Sequence, residues 1–219
     1  ASSWNLESIC ERIEQLLNEG CHMVGFVSPS HFIPQMMAII KSLELRGRRP
    51  TIVMNTNGYD KVSTLRELED WVDIYLPDIK YMDSELARRW SQTPDYPDVI
   101  KATLREMYRQ KGSTLWLNNE GLAEKGLIVR HLVMPGAVRN SLECLRWIAE
   151  ELSTNIHISL MSQYHPTPWV KDDPRLGRTL YPEEYEEVVN EMGRLGLENG
   201  WIQPLESHDN YKPDFTEPH

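Results

Sequence analysis

The sequence lacks any run approaching the ~20 consecutive apolar residues that a membrane span needs, and it lacks the basic stretch followed by an apolar run that marks a secretory signal. Cysteine is scarce as well. Cys10, Cys21 and Cys144 are too few and too scattered for a disulfide framework, and an odd number fits a reducing compartment, so a cytoplasmic location is expected. Positive charge is in deficit, with 23 Lys and Arg against 33 Asp and Glu and a net charge of -10. Such a surface repels phosphate backbones and anionic lipids, which argues against nucleic-acid or membrane partners. Also missing are a CxxxCxxC run, a His-x-His pair and a His-Glu-x-x-His helix.

What is present is an alternation. Leu6, Ile9, Cys10, Ile13, Leu16 and Leu17 recur at helical spacing and Gly20 stops the helix. Met23 to Val27 is a short apolar run without alternation, read as a strand buried on both faces. The unit repeats: helix Ile33 to Arg46, strand Thr51 to Met54, helix Ser63 to Trp71, strand Val72 to Leu76, helix Pro97 to Gln110, strand Leu127 to Met134, helix Ser141 to Leu152, strand Ile156 to Met161, and a helix from Tyr181-Pro182 to about Leu195. Asp83 to Ser91 reads as an extra helix, and Thr114 to Leu117 starts a small hairpin. Cys10 falls on a helical apolar face and Cys144 near the start of another helix, both read as packing residues.

Strands alternating with helices predict an α/β fold with a parallel sheet. One domain is expected over residues 1–203, with a polar tail over 204–219. The chain leads with a helix, which suggests a missing first strand.

In parallel α/β folds the chemistry gathers at the carboxyl ends of the strands. There the chain carries Ser28-Pro29-Ser30-His31, Asn55-Thr56-Asn57-Gly58, Asp78-Ile79-Lys80, Arg130-His131 leading to Pro135-Gly136, and Ser162-Gln163-Tyr164-His165-Pro166. Asp78 and Lys80, two apart on a strand, share a face; Arg130 and His131 point to opposite faces, so only one of them enters a barrel.

Taken in order, Asn55-Thr56-Asn57-Gly58, Asp73 to Lys80, Arg130 to Gly136 and Leu160 to Pro166 resemble the radical S-adenosylmethionine enzymes, in particular the branch similar to pyruvate formate-lyase-activating enzyme. The resemblance implies a partial, TIM-barrel-like (β/α) barrel, here with five core strands of an original six. It also implies an oxidoreductase that cleaves S-adenosylmethionine at a 4Fe-4S cluster and activates a glycyl-radical enzyme. By position, Asn55, Asn57, Asp78, Lys80, Arg130, Gln163 and His165 would border the cofactor, while Thr56 and Asp78 would hold a monovalent cation. Iron–sulfur clusters take thiolate ligands, and with no CxxxCxxC the resemblance implies a fragment starting just after the cluster loop, without iron ligands and inactive alone. The catalytic residues stay unassigned. The glycine-rich GGE segment of the family is replaced by Ser28-Pro29-Ser30-His31.

Two other readings stand beside it. His31, Asp78, His131 and His165 could converge on a divalent ion, as in a metal-dependent hydrolase. A non-catalytic binding module would use Trp4, Trp90, Trp116 and Trp169 as exposed anchors.

Overall fold

The structure is a computed structural model and describes residues 5–205. In chain order it contains α1 (Leu6–Asn18), β1 (Met23–Val27), α2 (Ile33–Leu45), β2 (Thr51–Thr56), α3 (Val62–Glu67), β3 (Ile74–Pro77), α4 (Ser84–Ser91), α5 (Tyr96–Lys111), β4 (Trp116–Leu117), β5 (Ala123–Leu132), α6 (Val138–Glu151), β6 (His157–Met161), α7 (Pro182–Arg194) and β7 (Gly200–Ile202). The helices begin where local chemistry tells them to. Asn5 caps α1 by accepting the Ser8 N–H, and Asp83 caps α4 by accepting those of Glu85 and Leu86. Proline stands in the first turn of α2, α5 and α7, where its missing N–H costs nothing.

The strands pair in the order β1-β2-β3-β5-β6-β7, all parallel, and β4 folds back antiparallel on β5 as the expected hairpin. The five expected parallel strands are thus joined by a sixth. With only Gly200, Trp201 and Ile202, β7 is too short to show a period, and it is recognised by its pairing with Ile158 to Leu160. The result is a partial β/α barrel, open between β7 and β1.

Residue parity separates the two faces of this sheet. Phe26, Ile52, Met54, Tyr75, Leu127, Val129, Ile158 and Leu160 join Met36, Ile40, Leu65, Ile100, Leu104, Met107, Leu145 and Val188 of the helices in one continuous core. The alternate residues form the inner face, where Asn55, Leu76, Arg130 and Ser159 are half-buried. There the register sets Asn55 beside Leu76, and Asp78 beside Arg130 beside Ser159.

One expectation is corrected. Met23 and Val27 are 43% and 67% exposed, so β1 is not buried on both faces: among the described residues it pairs with β2 alone. Cys10 and Cys144 are fully buried, as expected of packing residues, and burial pushes the Cys144 thiol well above its usual range.

Candidate functional site

Where β3 runs into Asp78-Ile79-Lys80, three charged side chains meet on the inner face. Asp78 Oδ2 lies 2.9 Å from Lys80 Nζ, and Asp78 Oδ1 lies 3.0 Å from Arg130 Nε. The second contact is a charge pair without hydrogen-bond alignment, because both atoms are buried and neither has a hydrogen-bond partner among the described residues. A carboxylate and a guanidinium therefore stand side by side with bonding capacity unspent, the arrangement that receives a ligand bearing both charges.

The platform under this trio is pinned from three elements. Tyr96, at the start of α5, accepts the Lys80 N–H at 3.1 Å, and its own proton is shared between the carbonyls of Asn57 (2.9 Å) and Asp78 (2.8 Å). Burial holds this phenol far above the usual tyrosine range, so it stays protonated. Asn140 of α6 donates to the Lys80 carbonyl at 2.9 Å and accepts the N–H groups of Met82 and Asp83. Gly58 completes the knot: its φ is +77°, and a Cβ there would sit 2.2 Å from Ile100 Cδ1 and 2.7 Å from the Asp78 carbonyl.

His131 pins the same segment from the covered side. Its Nδ1 is 2.7 Å from the Ile79 carbonyl and its Nε2 is 2.8 Å from Ser141 Oγ. A carbonyl only accepts, so Nδ1 carries the proton and Nε2 accepts from the serine. The ring is fully buried, and desolvation pushes its pKa down to about 4. This removes His131 from the proposed metal set. Among the described residues, no three His, Cys, Asp or Glu side chains converge to hold a metal ion.

The remaining expected site residues divide. Asn55 is half-buried on the inner face; Asn57 is exposed, with its Oδ1 accepting the Tyr59 N–H at 3.0 Å and its carbonyl held by Tyr96. Gln163 and His165 follow β6 at the same carboxyl end, Gln163 bonded to Gln203 and His165 with a buried, unpartnered Nδ1. Among the described residues, none of these four side chains hydrogen-bonds to the trio. Parity turns the Thr56 side chain to the covered face, where its hydroxyl donates to Asp60 at 2.5 Å. The Thr56 and Asp78 side chains thus point to opposite faces, while their backbones stay joined by the Asp78 N–H on the Thr56 carbonyl at 2.8 Å. Of the expected anchors, Trp169 and Trp116 are 94% and 60% exposed, Trp90 packs edge-on against Tyr81 at only partial exposure, and Trp4 lies outside the described residues. Tyr96 and Asn140 are not among the expected site residues. Tyr96 directly before Pro97, at a helix start among strand-end loops, was the available signal.

No family model matches the chain. An uncharacterized protein of Methanocaldococcus jannaschii is 29% identical over 169 residues, which covers 75% of this chain and 44% of that protein. The chain thus spans less than half the length of this curated relative. Among solved structures, a domain of pyruvate-formate lyase-activating enzyme from Bacteroides vulgatus matches with a TM-score of 0.56 and 17% identity, covering 83% of this chain and 98% of that one. At this identity the likeness establishes the fold.

Proposed function

We propose that the chain is the S-adenosylmethionine-binding barrel of a radical enzyme of the glycyl-radical-activase type. The observation that carries this reading is the Asp78, Lys80 and Arg130 trio on the inner face, with the Oδ1 and Nε atoms lacking hydrogen-bond partners among the described residues. The cofactor's amino-acid end bears a carboxylate and an ammonium. Arg130, with a planar fork that lysine cannot copy, takes the carboxylate together with Lys80, and Asp78 takes the ammonium. Asn55, Asn57, Gln163 and His165 border the rest of the molecule. Support comes from the motif order, and from a solved neighbour that is itself a domain of an activating enzyme.

A 4Fe-4S cluster does not fit the described residues. Cys10 and Cys144 are buried on separate helices and Cys21 stands alone at the surface, so no electron-transfer step is assigned to this chain. In our reading the thiolates, and with them the activity, come from outside these residues, and the chain alone is inactive. A glycyl-radical protein approaching the open face is the partner this reading implies.

Calorimetric titration with S-adenosylmethionine tests it. The expected result is saturable one-to-one binding, weakened by roughly tenfold or more in Arg130→Gln. Equal binding by that variant would remove Arg130 from the site, and no binding by the native chain would overturn the reading.

A further inference from the structure

A cavity of about 800 Å3, whose lining includes none of the trio, lies between the loop after β1, the loop after β2 and the first turns of α5. Three features define its chemistry. Asp60, only 7% exposed, lines it, and its carboxylate is held by two hydroxyls, Ser30 Oγ on Oδ1 and Thr56 Oγ1 on Oδ2, each at 2.5 Å. No cation pairs with it among the described residues. Two neutral donors compensate a buried charge only in part, and a positive group beside it would complete the compensation. Tyr59 also lines the cavity, with its ring stacked on Tyr96 and its hydroxyl tied to Asp95, so an aromatic surface is held in place. The floor is apolar, from Ile33, Val62 and Val99.

A bare metal ion does not suit this lining, because the donor set it needs is absent among the described residues. We infer that the cavity is a binding site for a small organic cation, an alkyl ammonium or guanidinium whose charged head meets Asp60 and whose body lies on Tyr59 and the apolar floor. The chain's net charge of -10 raises the local concentration of such a ligand. Lys61, exposed at the rim, is outnumbered there by Asp60 and Glu67. The alternative is a loop staple, in which Asp60 only ties Ser30 to Thr56.

Amide chemical shifts of the full chain, recorded during titration with n-butylammonium chloride, decide between them. The expected result is saturable movement of the Ser30 and Tyr59 to Thr64 amides, with sodium butyrate and n-butanol leaving them in place. Asp60→Asn should weaken the response by roughly tenfold or more. Val99→Trp, which fills the cavity from α5 and leaves the carboxylate untouched, should abolish it and so covers the case in which Asp60→Asn loosens the loops. Absence of saturable shifts in the native chain would overturn the site, as would an equal response to n-butanol or unchanged binding in Val99→Trp.

Discussion

The two faces of the sheet are built from the same strands and treat polar side chains in opposite ways. His131 and Arg130 are consecutive in β5. On the covered face His131 is fully desolvated, neutral and bonded through both ring nitrogens, so its polarity is spent on fixing the chain. On the inner face Arg130 is partly exposed and leaves Nε without a hydrogen bond. The contrast teaches that a buried polar group with every bond made serves architecture, whereas a half-buried charge with bonds to spare keeps the capacity to bind.

Four substitutions or conditions break or sharpen this contrast. The largest effect belongs to the covered face: Leu104→Ala, at a fully buried core position, should lower unfolding free energy by about 2–5 kcal/mol in a urea titration. His131→Leu should cost less, about 1–3 kcal/mol, because the ring volume is replaced while the Ile79 carbonyl and Ser141 hydroxyl lose their partner. Ligand affinity should fall with it, since Ile79 lies between Asp78 and Lys80.

The third is pH. The folded pKa of His131 is depressed from its usual 6.5 to about 4, so the unfolded chain takes up a proton first. The stability contributed by the neutral ring is full above 6.5 and is lost as pH falls toward 4, by up to about 3 kcal/mol. Glu106 and Glu184, held down to about 2 by Arg109 and Arg178, lose their contribution only at lower pH, from about 4.5 to about 2. Denaturation curves at pH 7, 5.5 and 4.5 should therefore show the loss in the native chain and a flattened profile in His131→Leu. The smallest stability effect is expected from Arg130→Gln, within about 1 kcal/mol, because Nε makes no aligned hydrogen bond to lose and Asp78 keeps Lys80. Loss of several kcal/mol there would make Arg130 a structural residue.

Much of the fold was legible because buried parallel strands and helix punctuation leave strong local patterns. Gly20 and Gly47 close helices, and the turn after β2 carries its own Asn57-Gly58 signature. Two features escaped because they depend on neighbours. The run from Met23 to Val27 reads the same whether a strand is central or at an edge, and only the pairing shows that β1 is an edge. β7 is three exposed residues. In the site, the two-residue spacing of Asp78 and Lys80 announced a shared face, and the alternation of Arg130 and His131 announced opposite ones. Which of the two faced inward was not legible, since it depends on where α6 packs. The same alternation separated Thr56 from Asp78, and the pins supplied by Tyr96 and Asn140 bridge 16 to 60 residues of sequence, beyond the reach of any local pattern.

The most direct test of the account is to map amide chemical-shift changes while S-adenosylmethionine is titrated into the isotopically labelled chain. Binding at the inner face predicts saturable shifts at Asn57, Asp78, Lys80, Arg130, Gln163 and His165, with the helix-side amides of α5 and α6 little changed. Saturable shifts confined to the helical side, or none at any residue, would contradict it.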